Sequence, residues 1–272
     1  MAEPDRVRFL INADRLDEAL AEAHRQLAAE PQNAELEMLA AWALSNQGHH
    51  PDATAAADRA VARAPENVWI LTSHARVMRN ADRTGPAIIS AEHAVAIAPD
   101  NVTAWIELSF AFNQTRRGSS GRAINTKAEA AALRAVELAP DNVWALNALA
   151  ANRRGLQAIA VYERALAIEP ENLTLKRNYA VALRQMGRAD DAALVLREEL
   201  KSAPADDALR NQFVATRRQA SRNEVAHILD QARYERHVVR QPTPWVTNTA
   251  IAIIAVIAIL AVAIAFLVAH LH

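Results

Sequence analysis

No cysteine occurs anywhere in the 272 residues. That excludes a disulfide framework, a thiolate zinc site and a thiol nucleophile. Glycine is scarce, at six residues, in a chain rich in alanine. Alanine has the best helix propensity and glycine one of the worst, so helices are favoured throughout. Lys127, Lys176 and Lys201 are the only lysines, and arginine supplies the remaining positive charge. Heavy use of Ala and Arg suggests a GC-rich bacterial genome. The net charge of −1 gives no nucleic-acid signal. Chemistry-bearing motifs are also missing. There is no glycine-rich phosphate loop, HExxH, nucleophile elbow or paired carboxylate set. His49-His50 and His270/His272 are read as surface residues, so neither a metal nor a cofactor is expected, and the chain is not expected to be an enzyme. Met1-Ala2-Glu3-Pro4-Asp5-Arg6 does not read as a secretory signal.

What the chain does contain is a repeat. Ala60-Val-Ala-Arg-Ala-Pro65-Glu-Asn67 returns as Ala94 to Asn101, Ala135 to Asn142 and Ala165 to Asn172. Weaker copies end at Pro31 and Pro204. Successive prolines lie 34, 34, 41, 30 and 34 residues apart. Each copy holds two apolar helical stretches around a turn. Proline follows the second because it lacks an N–H and cannot continue a helix. The acid and Asn after it suit the start of the next helix, whose first N–H groups need acceptors. Ala60, Ala94, Ala135 and Ala165 stand where paired helices must approach closely.

Trp105, Leu108, Ser109 and Phe112 follow the W-x2-L-G-x2-Y pattern, with Ser in place of Gly. Ala158, Tyr162 and Pro170 follow the A-x3-F…P half. Tyr179, Ala180 and Leu183, then Ala192, Leu196 and Pro204, match both halves loosely. On these residues the segment 5–204 resembles the tetratricopeptide repeat family, of roughly 34-residue period. The resemblance implies an all-α, right-handed superhelical solenoid of about six hairpins that binds proteins. The 41-residue spacing predicts a longer loop at Arg116-Arg117-Gly118-Ser119-Ser120-Gly121-Arg122. The 30-residue spacing predicts a tight turn or a lost helical turn at Arg153-Arg154-Gly155.

Beyond Pro204 two helices are expected, within a capping and juxtamembrane region over 205–240. The first, 206–219, would turn Leu209, Phe213 and Val214 inward and Arg210, Arg217 and Arg218 outward. The second would start at a Ser221/Glu224 capping box. A proline-containing interfacial linker over 241–248 follows. Ala250 to Ala269 then runs for twenty residues without a charge, enough for a helix to cross a hydrocarbon core of roughly 30 Å. The expected anchor is 249–269, with a short outer tail at 270–272. Arg233, Arg236 and Arg240 precede the span and no Lys or Arg follows it, which places the repeats in the cytoplasm. Trp245 sits where an interfacial aromatic belongs. The sequence thus resembles a bacterial-type tetratricopeptide protein, tail-anchored in the plasma membrane.

The first helix of each hairpin is expected to line the concave groove. Helical spacing puts Trp42, Trp69, Arg76, Arg79, Phe110, Asn113, Trp144, Asn147, Arg154, Arg177 and Arg184 there. Trp and Arg are enriched at binding hot spots. The partner expected is a protein or peptide, with an acidic or aromatic extended segment, and not a nucleic acid. Asn178 falls near a carboxylate-clamp position of chaperone-binding relatives, but the Lys partners are missing. The reading is a membrane-tethered scaffold that recruits a protein to the membrane. Its alternatives are an organelle-surface, tail-anchored adaptor and a non-catalytic subunit of a membrane enzyme complex.

Overall fold

The computed structural model describes residues 3–115, 121–202, 206–238 and 259. Among them are thirteen α-helices and no strand. They fall into two compact units that divide after Pro170. The expected linker 241–248, the anchor 249–269 (Ile259 apart) and the tail 270–272 lie outside the described residues. So does most of the Arg116–Arg122 loop. Among the described residues no helix is long and apolar enough to cross a membrane.

The first unit holds five antiparallel hairpins. They are α1 (Glu3–Asn12) with α2 (Leu16–Ala29), α3 (Ala34–Asn46) with α4 (His50–Arg63), and α5 (Val68–Asn80) with α6 (Thr84–Ile97). Then come α7 (Val102–Thr115) with α8 (Gly121–Leu138) and α9 (Val143–Asn152) with α10 (Gly155–Ile168). Consecutive helices pack on each other, and the first helices of neighbouring hairpins also touch. The recurring Asn caps the helix that follows it. The Oδ1 atoms of Asn33, Asn67, Asn101 and Asn142 accept backbone N–H groups at 3.0–3.2 Å. Ala60, Ala94, Ala135 and Ala165 are fully buried. The absence of any larger side chain there lets each hairpin close. Ser109, at the Gly position of the repeat, is also fully buried, and its hydroxyl donates to the Ala128 carbonyl of α8 at 2.9 Å. A small polar residue is tolerated at that crossing because its hydrogen bond is satisfied.

The irregular spacings have separate structural outlets. The short repeat is taken up by α9, which has 10 residues where α3 and α5 have 13. Only Arg153 and Arg154 separate it from α10, which starts on Gly155 at φ +61°. The long repeat lengthens α8 to 18 residues, so part of the extra sequence is helix rather than loop.

A second periodicity accompanies the first. Asp14, Gly48 and Asp82 have φ of +56°, +80° and +56° in the turns inside successive hairpins. A left-handed residue lets the chain reverse without lengthening the turn, which favours Gly and tolerates Asp. An added Cβ at Gly48 meets no heavy atom within 4 Å. Gly48→Ala should therefore cost about 1–2 kcal/mol through the backbone alone, read as a lower denaturation midpoint. An unchanged midpoint would show that this turn can relax to another conformation.

The second unit contains α11 (Leu173–Gln185), α12 (Ala189–Ser202) and α13 (Asp207–Val238). Asn172 caps α11, and Asp206 caps α13 by accepting the Leu209 N–H at 2.8 Å. Gly187, at φ +79°, makes the α11–α12 turn. The expected pair of helices after Pro204 is one helix of 32 residues. Ser221 and Glu224 lie inside it and start nothing. No Gly or Pro falls between 207 and 238 to break the helix, so a capping-box pattern alone does not end it. Leu209, Thr216 and Ala220 are buried, while Val214 is 40% exposed rather than inward.

Candidate functional site

The first helices of the first three hairpins enclose a cleft with two adjoining lobes. One, of about 220 Å³, is lined by residues that include Asn12, Trp42, Asn46, Arg76 and Asn80. The other, of about 210 Å³, is lined by Arg8, Ile11, Asn12, Trp42 and Trp69. Trp42 and Trp69 stand with ring centroids 6.0 Å apart and planes tilted by 56°. Arg8 lies 5.0 Å above the Trp69 ring, and Arg76 lies 5.4 Å above Trp42. Guanidinium over an indole face is an attractive arrangement, and it holds both cations at the cleft wall. The Trp42 Nε1 atom is buried and has no hydrogen-bond partner. An unmet buried donor is costly, so this indole carries an energetic penalty in the free protein.

Trp42 and Trp69 have two jobs at once. Each packs against the core of the first hairpins on one side and borders the cleft on the other. Packing and groove were competing readings of these residues, and the geometry supplies both. Arg8, Asn12 and Asn46 were not singled out from sequence. The signal was present: Asn12, Asn46 and Asn80 recur every 34 residues, each ending the first helix of a hairpin.

The other groove residues of this unit are placed differently. Arg76 donates through Nε and Nη2 to Glu107 Oε1 at 2.7 and 2.6 Å, and Arg79 Nη2 lies 3.6 Å from Oε2. The Glu107 side chain is only 2% exposed, so these arginines answer a buried carboxylate of the next hairpin. Arg79 also covers Phe110 at 5.2 Å. Asn113 donates to the Ala151 carbonyl at 3.1 Å and to Asn152 Oδ1 at 2.7 Å. Asn147 is buried, Trp144 is 45% exposed, and Arg154 is exposed beside the α9–α10 turn. In the second unit Arg177 reaches Glu199 at 3.3 Å and Asp206 at 2.6 Å. Arg184 is half-buried. Arg233 and Arg236 lie in α13, their side chains beyond those described, and Arg240 and Trp245 lie outside the described residues.

Two buried carboxylates behave oppositely. Burial pushes Glu37 up, but hydrogen bonds from Arg59 and Arg63 outweigh it and hold its pKa below the ordinary 4.5. Burial pushes Glu199 up and wins, because the pull of Arg177 and Lys176 does not offset it. Arg177 is shared with Asp206, whose own pKa is lowered first by the Leu209 N–H and then by Arg177.

A Ser–His–Asp chain also occurs. His74 Nε2 lies 3.0 Å from Asp58 Oδ1, and Nδ1 lies 2.8 Å from Ser90 Oγ. Residues 16 apart on three helices gave no sequence signal. Ser90 and His74 are both buried. Ser90 lies within α6, where backbone N–H groups are engaged in the helix and form no oxyanion hole. The chain of bonds pins α4, α5 and α6 together.

Residues 149–212 match the family model described as "Tetratricopeptide repeat". A thermophilic TPR protein from Thermus thermophilus is similar, with a TM-score of 0.63 at 21% identity over 67% of this chain and 98% of that one. A tetratricopeptide repeat protein from Parabacteroides merdae gives 0.56 at 15% identity, over 83% and 89%. No curated protein sequence matches the chain. Proteins of this fold serve in general as protein-interaction scaffolds. The chain thus has the helical-hairpin fold of tetratricopeptide repeat proteins, and within it residues 149–212 match that family's own sequence model.

Proposed function

We propose that the chain is a non-catalytic, membrane-tethered scaffold that holds a protein partner in the Trp42–Trp69 cleft. The cleft carries this reading. Its walls present two indole rings, the Arg8 and Arg76 guanidiniums and the Asn12 and Asn46 amides. Such a surface suits an extended segment with acidic and aromatic side chains. Aromatic groups stack on Trp69, the Asn12 and Asn46 amides bond the segment's backbone, and a carboxylate competes for Arg8 with Glu35, which lies 2.5 Å from it. The tether rests on sequence: the apolar run 250–269 has Arg233, Arg236 and Arg240 before it, an arrangement that orients the repeats toward the cytoplasm.

The test is site-specific photocrosslinking of the full chain in its source cells. A photoreactive side chain at Asn46, on the cleft wall, should give one discrete adduct that disappears on Trp42→Leu. The same group at Ile89, which is 68% exposed on α6, should give none. Adducts from Ile89 that ignore Trp42→Leu would move the partner away from the cleft. In sealed vesicles with the cytoplasmic face outward, protease should digest the repeats and spare a small C-terminal fragment. Protected repeats would reverse the orientation.

A further inference from the structure

The outward face of α13 is the surface least explained by folding. Its packed side is Leu209, Thr216 and Ala220. By helical spacing, Arg210, Val214, Arg217, Arg218, Ser221, Arg222 and Leu229 share the opposite side. Arg217, Arg218, Ser221 and Arg222 are exposed, and Val214 and Leu229 are 40% and 46% exposed. Arg210 is engaged with Asp207 at 2.6 Å. No acid occurs between Arg210 and Arg222, and Glu224 falls on the flank of the stripe. Such a stripe combines cations on long apolar stems with one aliphatic group among them, Val214, and another beyond them, Leu229.

The position of the stripe selects its occupant. Eleven residues separate Val238 from the apolar run that begins at Ala250. Extended, they reach at most about 40 Å. On the tethered reading above, α13 is therefore held within reach of a bilayer surface for as long as the chain is anchored. We infer that the Arg217–Arg218–Arg222 face of α13 docks on anionic lipid headgroups. Arginine stems lie along the interface with guanidiniums at the phosphates, and Val214 and Leu229 enter the headgroup boundary. A second protein is the other class of occupant, and lipid is favoured because the tether supplies it continuously and the charge is complementary.

The absence of native cysteine makes a clean probe possible. The full chain carrying Ser221→Cys, labelled with a polarity-sensitive fluorophore, is reconstituted into phosphatidylcholine vesicles with and without phosphatidylglycerol. The emission should shift to the blue on the anionic vesicles only, and revert in 1 M salt, where screening shortens to about 3 Å. A label at exposed Thr103 should not respond. Arg217→Gln, Arg218→Gln and Arg222→Gln together should lower the docked-to-undocked ratio roughly a hundredfold. Lysine at the same three places should retain docking, which also guards against a folding defect. Equal emission on both vesicles, with the protein resisting alkaline extraction, overturns the docking while leaving the anchor standing. Protein stripped by alkali from both vesicles overturns the anchor itself. A blue shift on both, insensitive to salt and to the glutamines, assigns the face to apolar insertion and overturns the electrostatic account.

Discussion

Replacing Arg76 and Arg79 together by alanine is expected to destabilise the first unit by about 3–5 kcal/mol. The cause is Glu107, whose side chain is 2% exposed and meets both arginines. Removing both strands a buried carboxylate, whose desolvation is no longer offset. Adding Glu107→Gln to the double variant should restore most of the loss, because the amide carries no charge to strand. Urea titration with unchanged slope is the measurement. A loss well under ~1 kcal/mol would mean that Glu107 swings into water when released, as exposed pairs are worth that little. The same geometry rules on how the groove should be probed. Reversing the charge at Arg76 would set two carboxylates side by side, and Arg177, which faces Glu199, has the same defect. Lost binding in either variant would report unfolding. The asparagines of the cleft wall are the informative positions, and Trp42→Leu is informative only with an unchanged denaturation midpoint, because Trp42 also packs on the core.

Asn152→Asp should cost more than Asn152→Leu, which is expected to cost about 2–3 kcal/mol. Asn152 closes the shortened α9. Its Nδ2 donates to Ser109 Oγ at 2.9 Å and to the Ala148 carbonyl at 2.8 Å, and its Oδ1 accepts from Asn113. Leucine keeps the volume and abandons these bonds, so buried groups of α7 and α9 lose a partner. Aspartate sets a buried charge against the Ala148 carbonyl. Burial raises the pKa of such a carboxyl, so its penalty should shrink as pH falls through that raised value. An aspartate variant as stable at pH 7 as the wild type would show water entering the network. The bonds join residues 39 to 43 positions apart, so a lost helical turn in one repeat is compensated by the preceding one.

Those separations explain what the sequence could and could not disclose. Proline, the asparagine after it and the buried alanines act within one repeat, so their roles follow from spacing. Asn67 caps its own helix and Ala60 closes its own hairpin. The partners of Arg76 and Asn113 lie 31 and 39 residues away, in the next hairpin. A count of groove arginines cannot reveal that they are already neutralised. Ser221 and Glu224 misled for a different reason. A capping box resembles any polar stretch of helix unless a breaker precedes it. The left-handed turn residues Asp14, Gly48 and Asp82 were in plain sight at one period, but two of the three are Asp, which is also ordinary on a helix surface.

The packing of the first unit joins each helix to its immediate successor, apart from contacts between the first helices of neighbouring hairpins. Contacts so close in sequence make for rapid folding, because little chain must be closed into loops. Synthesis proceeds at about 5–20 residues per second, so a 34-residue hairpin takes roughly 2 to 7 seconds to emerge. A helical hairpin can settle in far less time than that. Each new hairpin therefore leaves the ribosome to meet a finished surface, and its apolar face is covered almost as soon as it is made.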